Sequence, residues 1–226
     1  MTGLVIVAAT VASYVVGWAA GWPLLVPILN AAASYPFMVA ALRRGEVRLA
    51  VGRMLLWALA LGVCATALSY LRPTETDRLF LRGEAYRVEM QAWVLTGVGA
   101  ESRPAMFLPQ QARDAAVFAA LGLATGGALA MPMGAALMNQ MGHYVGTLAA
   151  NGTHPALLMI LGWHPWAVIR IISFVVIGVV LAMPVVARRR PHVPLLLAAT
   201  AGLVIDVVMK TLLAPAWQRL LLSLFA

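Results

Sequence analysis

Three of the four histidines, His143, His154 and His164, fall within the stretch Asn139 to Arg170, NQMGHYVGTLAANGTHPALLMILGWHPWAVIR, which carries no carboxylate, lysine or arginine before its last residue. Imidazoles at this density suggest metal or haem ligation, or proton transfer. Spacing argues against one shared ion. On an unbroken helix His143 and His154 would stand about 16 Å apart along the axis. No HExxH pair is present, and no acid accompanies the histidines. His154 and His164 each precede a proline, which biases both toward chain breaks. A haem would need histidines from different helices, and His143 with His192 is the pair whose predicted level allows it. Met131, Met133, Met138 and Met141 crowd the same region, where thioethers suit Cu(I) or simply fill an apolar core. No cofactor is expected.

A second chemistry centres on Asp206. It lies about 18 Å along its helix from Pro194, close to a bilayer midplane, where a lone carboxylate costs at least about 2.5 kcal/mol. Lys210, four residues on, shares its helix face and is the expected ion-pair partner. Asp206 is otherwise a site for a proton or cation. Arg170, early in its own helix, is expected to snorkel outward. Together with Asn139, Asn151, His143 and His154 these residues form the candidate pathway and coupling set. Hydrolase chemistry lacks local support, since there is no GxSxG and no paired carboxylates; Asp206, His154 and Ser173 would have to meet across helices.

The elements that must position these groups are membrane helices. Of the 226 residues 62% are apolar and 11% charged, against about a quarter charged in a soluble domain. The net charge of +8 is concentrated in short clusters, Arg43, Arg44, Arg48 and Arg53 with Glu46, and Arg188 to Arg190, as the positive-inside rule expects of cytoplasmic loops. That distribution excludes a nucleic-acid partner and points to a bacterial-type cytoplasmic membrane with the N-terminus inside. Cys64 is the sole cysteine, so no intrachain disulfide can form. The first residues lack a basic leader region, so the first helix is read as retained.

Apolar runs at 4–21, 24–42 (interrupted by Pro27 and Pro36), 54–71, 115–138, 142–162, 166–187 and 194–213 give an all-α, single-domain bundle over 1–226 with six to seven transmembrane helices. Gly122, Gly126, Ala130 and Gly134 recur at a stride of four, a strip for close helix packing or for lining a path. The 142–162 crossing should break near Asn151 to Pro155; a re-entrant pair of half-helices is the alternative. Residues 72–114 balance six arginines against six acids and read as an external segment with an amphipathic helix over 75–95. Residues 214–226 read as an interfacial C-terminal helix. The segment Thr96 to Gly99 lacks the lysine of a phosphate loop.

The function this favours is a small permease or the membrane-embedded component of a translocation system. The alternative is a scaffold or anchor subunit whose 72–114 segment docks a protein partner or a second copy; a haem- or metal-binding subunit and an intramembrane enzyme stand behind these. The lipid bilayer is the one partner expected in every case.

Overall fold

A computed structural model describes all 226 residues, and it contains helices and no strands. In order these are α1 Thr2–Ala20, α2 Leu25–Ala32, α3 Tyr35–Arg44, α4 Val47–Leu71, α5 Pro73–Leu79, α6 Gly83–Thr96, a 3-10 turn Ala100–Ser102, α7 Pro104–Thr125, α8 Ala130–Asn151, α9 Pro155–Leu161, α10 Pro165–Ala187 and α11 Val193–Phe225. Five helical stretches are long and apolar enough to cross a membrane: α1, the α2–α3 pair, α4, α10 and α11. The outer helices show it most clearly. In α11 only 17% of the most apolar window is buried against protein, which leaves the remaining apolar surface facing outward.

Punctuation follows backbone chemistry. Proline in the first two positions opens α5, α7, α9 and α10, where its missing N–H has no helical partner to lose. Gly21 and Gly45 close α1 and α3 in the left-handed conformation, their N–H groups returned to the last carbonyls. The expected break in 24–42 occurs once, at Ala33–Ser34 ahead of Pro36. Pro27 lies in the first turn of α2 and is accommodated there.

Four expectations are corrected. The run 115–138 is not one helix: Gly126 and Gly127 take φ of 61° and 89°, turning the chain between α7 and α8. Gly122 and Gly126 therefore close α7 while Ala130 and Gly134 open α8, and the stride of four is no continuous strip. The 142–162 crossing is replaced by α8, and the break at Gly152 to His154 falls at its end rather than its middle. Residues 214–226 continue α11 through Pro215, which costs one backbone hydrogen bond and is flanked by the small Ala214 and Ala216. The helix over 75–95 is two, split where Phe80 turns extended and Arg82 becomes left-handed, and α6 buries Met90, Trp93 and Val94 in the bundle.

The centre of the bundle is α8. Its residues from Met141 to Ala149 are all buried, the pattern of a helix covered on every side. It meets α4 without intervening side chains at Gly142 and Gly146. A Cβ at Gly142 would overlap that of Ala65, and one at Gly146 would overlap the Thr66 carbonyl. The loops sort to two ends. At one, Gly45 lies against the Arg189 guanidinium, and Tyr35 Oη donates to the Gly126 carbonyl at 3.2 Å. At the other, the His154 amide and the Thr153 hydroxyl both donate to the Leu224 carbonyl.

The α4–α8 contact makes opposite predictions for two glycines. Gly146→Ala should lower stability in detergent by about 1–3 kcal/mol through overpacking against backbone. Gly52→Ala, also within a helix but facing open space, should raise it by about 0.5–1 kcal/mol. Thermal unfolding of the two variants in one detergent reads both signs.

Candidate functional site

Ionic and polar groups from four elements meet beside a cavity of about 190 Å³ inside the bundle. Arg170, in the second turn of α10, reaches Asp206 on α11 with Nε and Nη2, each at 2.9 Å from a carboxylate oxygen. Gln111 of α7 donates from Nε2 to the same carboxylate. One turn along α11, Lys210 Nζ donates to Glu101 Oε1 at 2.6 Å and lies 4.2 Å from the centroid of the Phe107 ring. Trp166 Nε1 completes Glu101 with a bond of 3.2 Å to Oε2. Asp206 is wholly buried and Lys210 nearly so.

This pairing corrects the expected Asp206–Lys210 bridge. A guanidinium fork matches a carboxylate with two parallel bonds, which an ammonium cannot do. Arg170 therefore takes Asp206 instead of snorkelling, and Lys210 turns to Glu101. Burial alone would raise the Glu101 carboxyl, but Lys210, Arg170 and His164 outweigh it and hold it below the usual glutamate range. Nothing in the sequence flags Glu101. It stands in a charge-balanced segment that reads as solvated, between a glycine turn and Pro104.

The cavity runs along α10 from Ala167 to Val179, about 18 Å of helix rise. Arg170, Lys210 and Glu101 mark one end, while Met38, Met54 and Trp57 lie on its apolar wall. Six of the 12 methionines line it, including Met131, Met138 and Met141; Met133 packs elsewhere, against the core around Phe118. Of the small-residue strip only Gly134 reaches the cavity, and with Gly178 it holds the Phe118 ring between α8 and α10.

Two further polar clusters lie within the bundle. Tyr14 Oη donates to Asn139 Oδ1 at 2.5 Å, Asn139 Nδ2 to Asn30 Oδ1 at 3.0 Å and Asn30 Nδ2 to Ser13 Oγ at 2.7 Å, joining α1, α2 and α8. His143 sits between Ser69 Oγ, 3.0 Å from Nδ1, and Asp77 Oδ1, 2.8 Å from Nε2. Arg87 clamps Asp77 with bonds of 2.7 and 2.9 Å. The order serine, histidine, aspartate is that of a nucleophilic triad, but its surroundings are structural. Ser69 is fully buried with Gly146 packed against its Cβ, so no acyl group can approach the hydroxyl.

The remaining expected residues disperse. His192 caps α11 by accepting from the Leu195 amide, and His143 has both ring nitrogens engaged by Ser69 and Asp77, which leaves it none for a haem pair. His154 is exposed at the start of α9, and Asn151 bonds its own helix at the Thr147 carbonyl. Ser173 donates to the Ile169 carbonyl, so Asp206, His154 and Ser173 form no catalytic group. His164 lies in a box of Trp93, Tyr144 and Trp166, where burial pushes it down to about 4 against the opposing pull of Glu101.

With this geometry in hand, known proteins offer no guide. No family model, curated protein or solved structure matches the chain.

Asp77 gives a pH prediction. Burial would raise its carboxyl, but the bonds from Arg87 and His143 win and hold it below its ordinary value. A group depressed in the folded state stabilises fully above its unfolded pKa, about 3.9 for aspartate, and loses that contribution as pH falls through the lower folded value. Unfolding in detergent should therefore steepen below about pH 4. Asp77→Asn should be less stable at pH 7 and less acid-sensitive, with the two stability curves converging at low pH.

Proposed function

We propose that this chain is a small membrane permease, or the membrane-embedded path of a translocation system, and that the bundle cavity is its working site. The observation that carries this reading is the mixed lining of the cavity: two ion pairs at one end, the further polar side chains Glu89, Gln110, Gln111, Asp114 and Gln140, and a wall of thioether, aromatic and aliphatic groups. Buried charge of this kind is costly in a purely structural bundle and suits a binding site within the membrane protein.

In this reading α7 and α8 join the five apolar stretches as crossings, seven in all. Each is 22 residues long, enough to span; α8 turns the polar Asn139 and His143 inward, while the hydropathy of α7 is lowered by Gln110, Gln111, Arg113 and Asp114. The proximity of Gly45 to Arg189 brings both basic loops to one end, which the positive-inside rule makes cytoplasmic in a bacterial-type inner membrane. The N-terminus lies on that side, and α5, α6 and α9 cover the opposite end.

Access tests the permease directly. In a Cys64→Ser background, Leu137→Cys places one thiol on the cavity wall at mid-α8. A membrane-impermeant maleimide should label it in both right-side-out and inside-out vesicles. Labelling from neither side, together with a stoichiometric co-purifying protein, would instead support an anchor subunit.

A further inference from the structure

The ligand class can be read from which polar groups at the cavity lack a protein partner. Arg170 and Lys210 are the cavity's two cations, and each is held by a carboxylate, Asp206 and Glu101. The groups left over are two acids, the Gln111 oxygen and the Gln110 carboxamide, so the only unpaired charges are negative. Glu89, on α6, lines the cavity and makes no hydrogen bond or ion pair with the protein. Asp114, on α7, takes both bonds from its neighbour Arg113 on Oδ1, and its Oδ2 accepts none. Gln111 Oε1 is buried with no hydrogen-bond donor. A buried acceptor without a partner costs about 1–3 kcal/mol and awaits a donor.

An anion entering here would place its charge beside Glu89, Asp114 and Glu101, with both cations already engaged. A cation meets the reverse situation. Its N–H groups find the Gln111 oxygen and the two carboxylates, with the aromatic side chains of Phe118 and Phe174 in the same lining. The apolar wall beyond, rich in methionine, adapts to hydrocarbon of varied shape.

We infer that the cavity binds a hydrophobic organic cation: an ammonium head between Glu89, Asp114 and Gln111, with its apolar tail lying along α10 toward Met38 and Met54. This deepens the permease reading by naming the solute class, and it rests on the same cavity being reachable from water.

The test uses the full chain in phosphatidylcholine nanodiscs, with binding of radiolabelled n-octylammonium measured against empty nanodiscs. Octanoate and octanol, of equal chain length, serve as competitors. Saturable octylammonium binding is expected, at least tenfold tighter than octanoate or octanol. Glu89→Gln with Asp114→Asn should weaken it at least tenfold without lowering the thermal midpoint, since Glu89 is exposed and Asp114 half-buried. Should that double variant misfold, Glu89→Gln alone is expected to weaken binding at least threefold. Equal competition by octanoate or octanol, unchanged binding in the folded variants, or no saturable binding overturns the inference. Failure here with Leu137→Cys still labelled from both sides leaves a permease for another solute; an unlabelled cavity removes both readings.

Discussion

Two ion pairs crossing between α11 and its neighbours set the terms for this bundle. A carboxylate at Asp206 and an ammonium at Lys210, buried on one helix face, each require a counter-charge in a medium that screens poorly. The partners come from different elements, Arg170 from α10 and Glu101 from the turn ahead of α7. Satisfying both fixes the register of α10 against α11 and ties the otherwise polar α6–α7 connection down onto the helices. Gln111 extends the constraint to α7. The same groups border the cavity, so the packing solution and the proposed site share their chemistry.

Around that end the bundle uses a different device. The α4–α8 seam is formed by Gly142 and Gly146 against backbone, so van der Waals contact and buried polar bonds replace the hydrophobic drive that lipid cannot supply. Tyr14, Asn30, Ser13 and Asn139 hold α1 and α2 to α8, while Ser69, His143, Asp77 and Arg87 hold α4 and α8 to the α5–α6 segment. Each network satisfies its members internally. The cavity differs in leaving acceptors free.

The sequence carried the helical class, the starts of α10 and α11 near Pro165 and Pro194, the interruption before Pro36 and the break between Asn151 and Pro155, because all of these are local. It hid what depends on distant partners. Gly126 and Gly127 sit in a run whose apolar composition resembles one helix, and only the left-handed φ of both residues reveals the turn. Asp206 and Arg170 were visible as intramembrane charges, but the i,i+4 neighbour Lys210 was a nearer candidate than a guanidinium 36 positions away. Glu101 and Asp77 lie in a charge-balanced stretch, where nothing separates a buried counter-ion from a solvated one.

Arg170 and Asp206 act as one buried unit, and a double-mutant cycle in detergent measures their coupling directly. Arg170→Met and Asp206→Leu should each destabilise by about 3–5 kcal/mol, because either leaves an unpaired buried charge. Their combination should cost at least about 2 kcal/mol less than the sum, because neither charge then remains. Additivity within about 0.5 kcal/mol would contradict the pairing and the site built upon it.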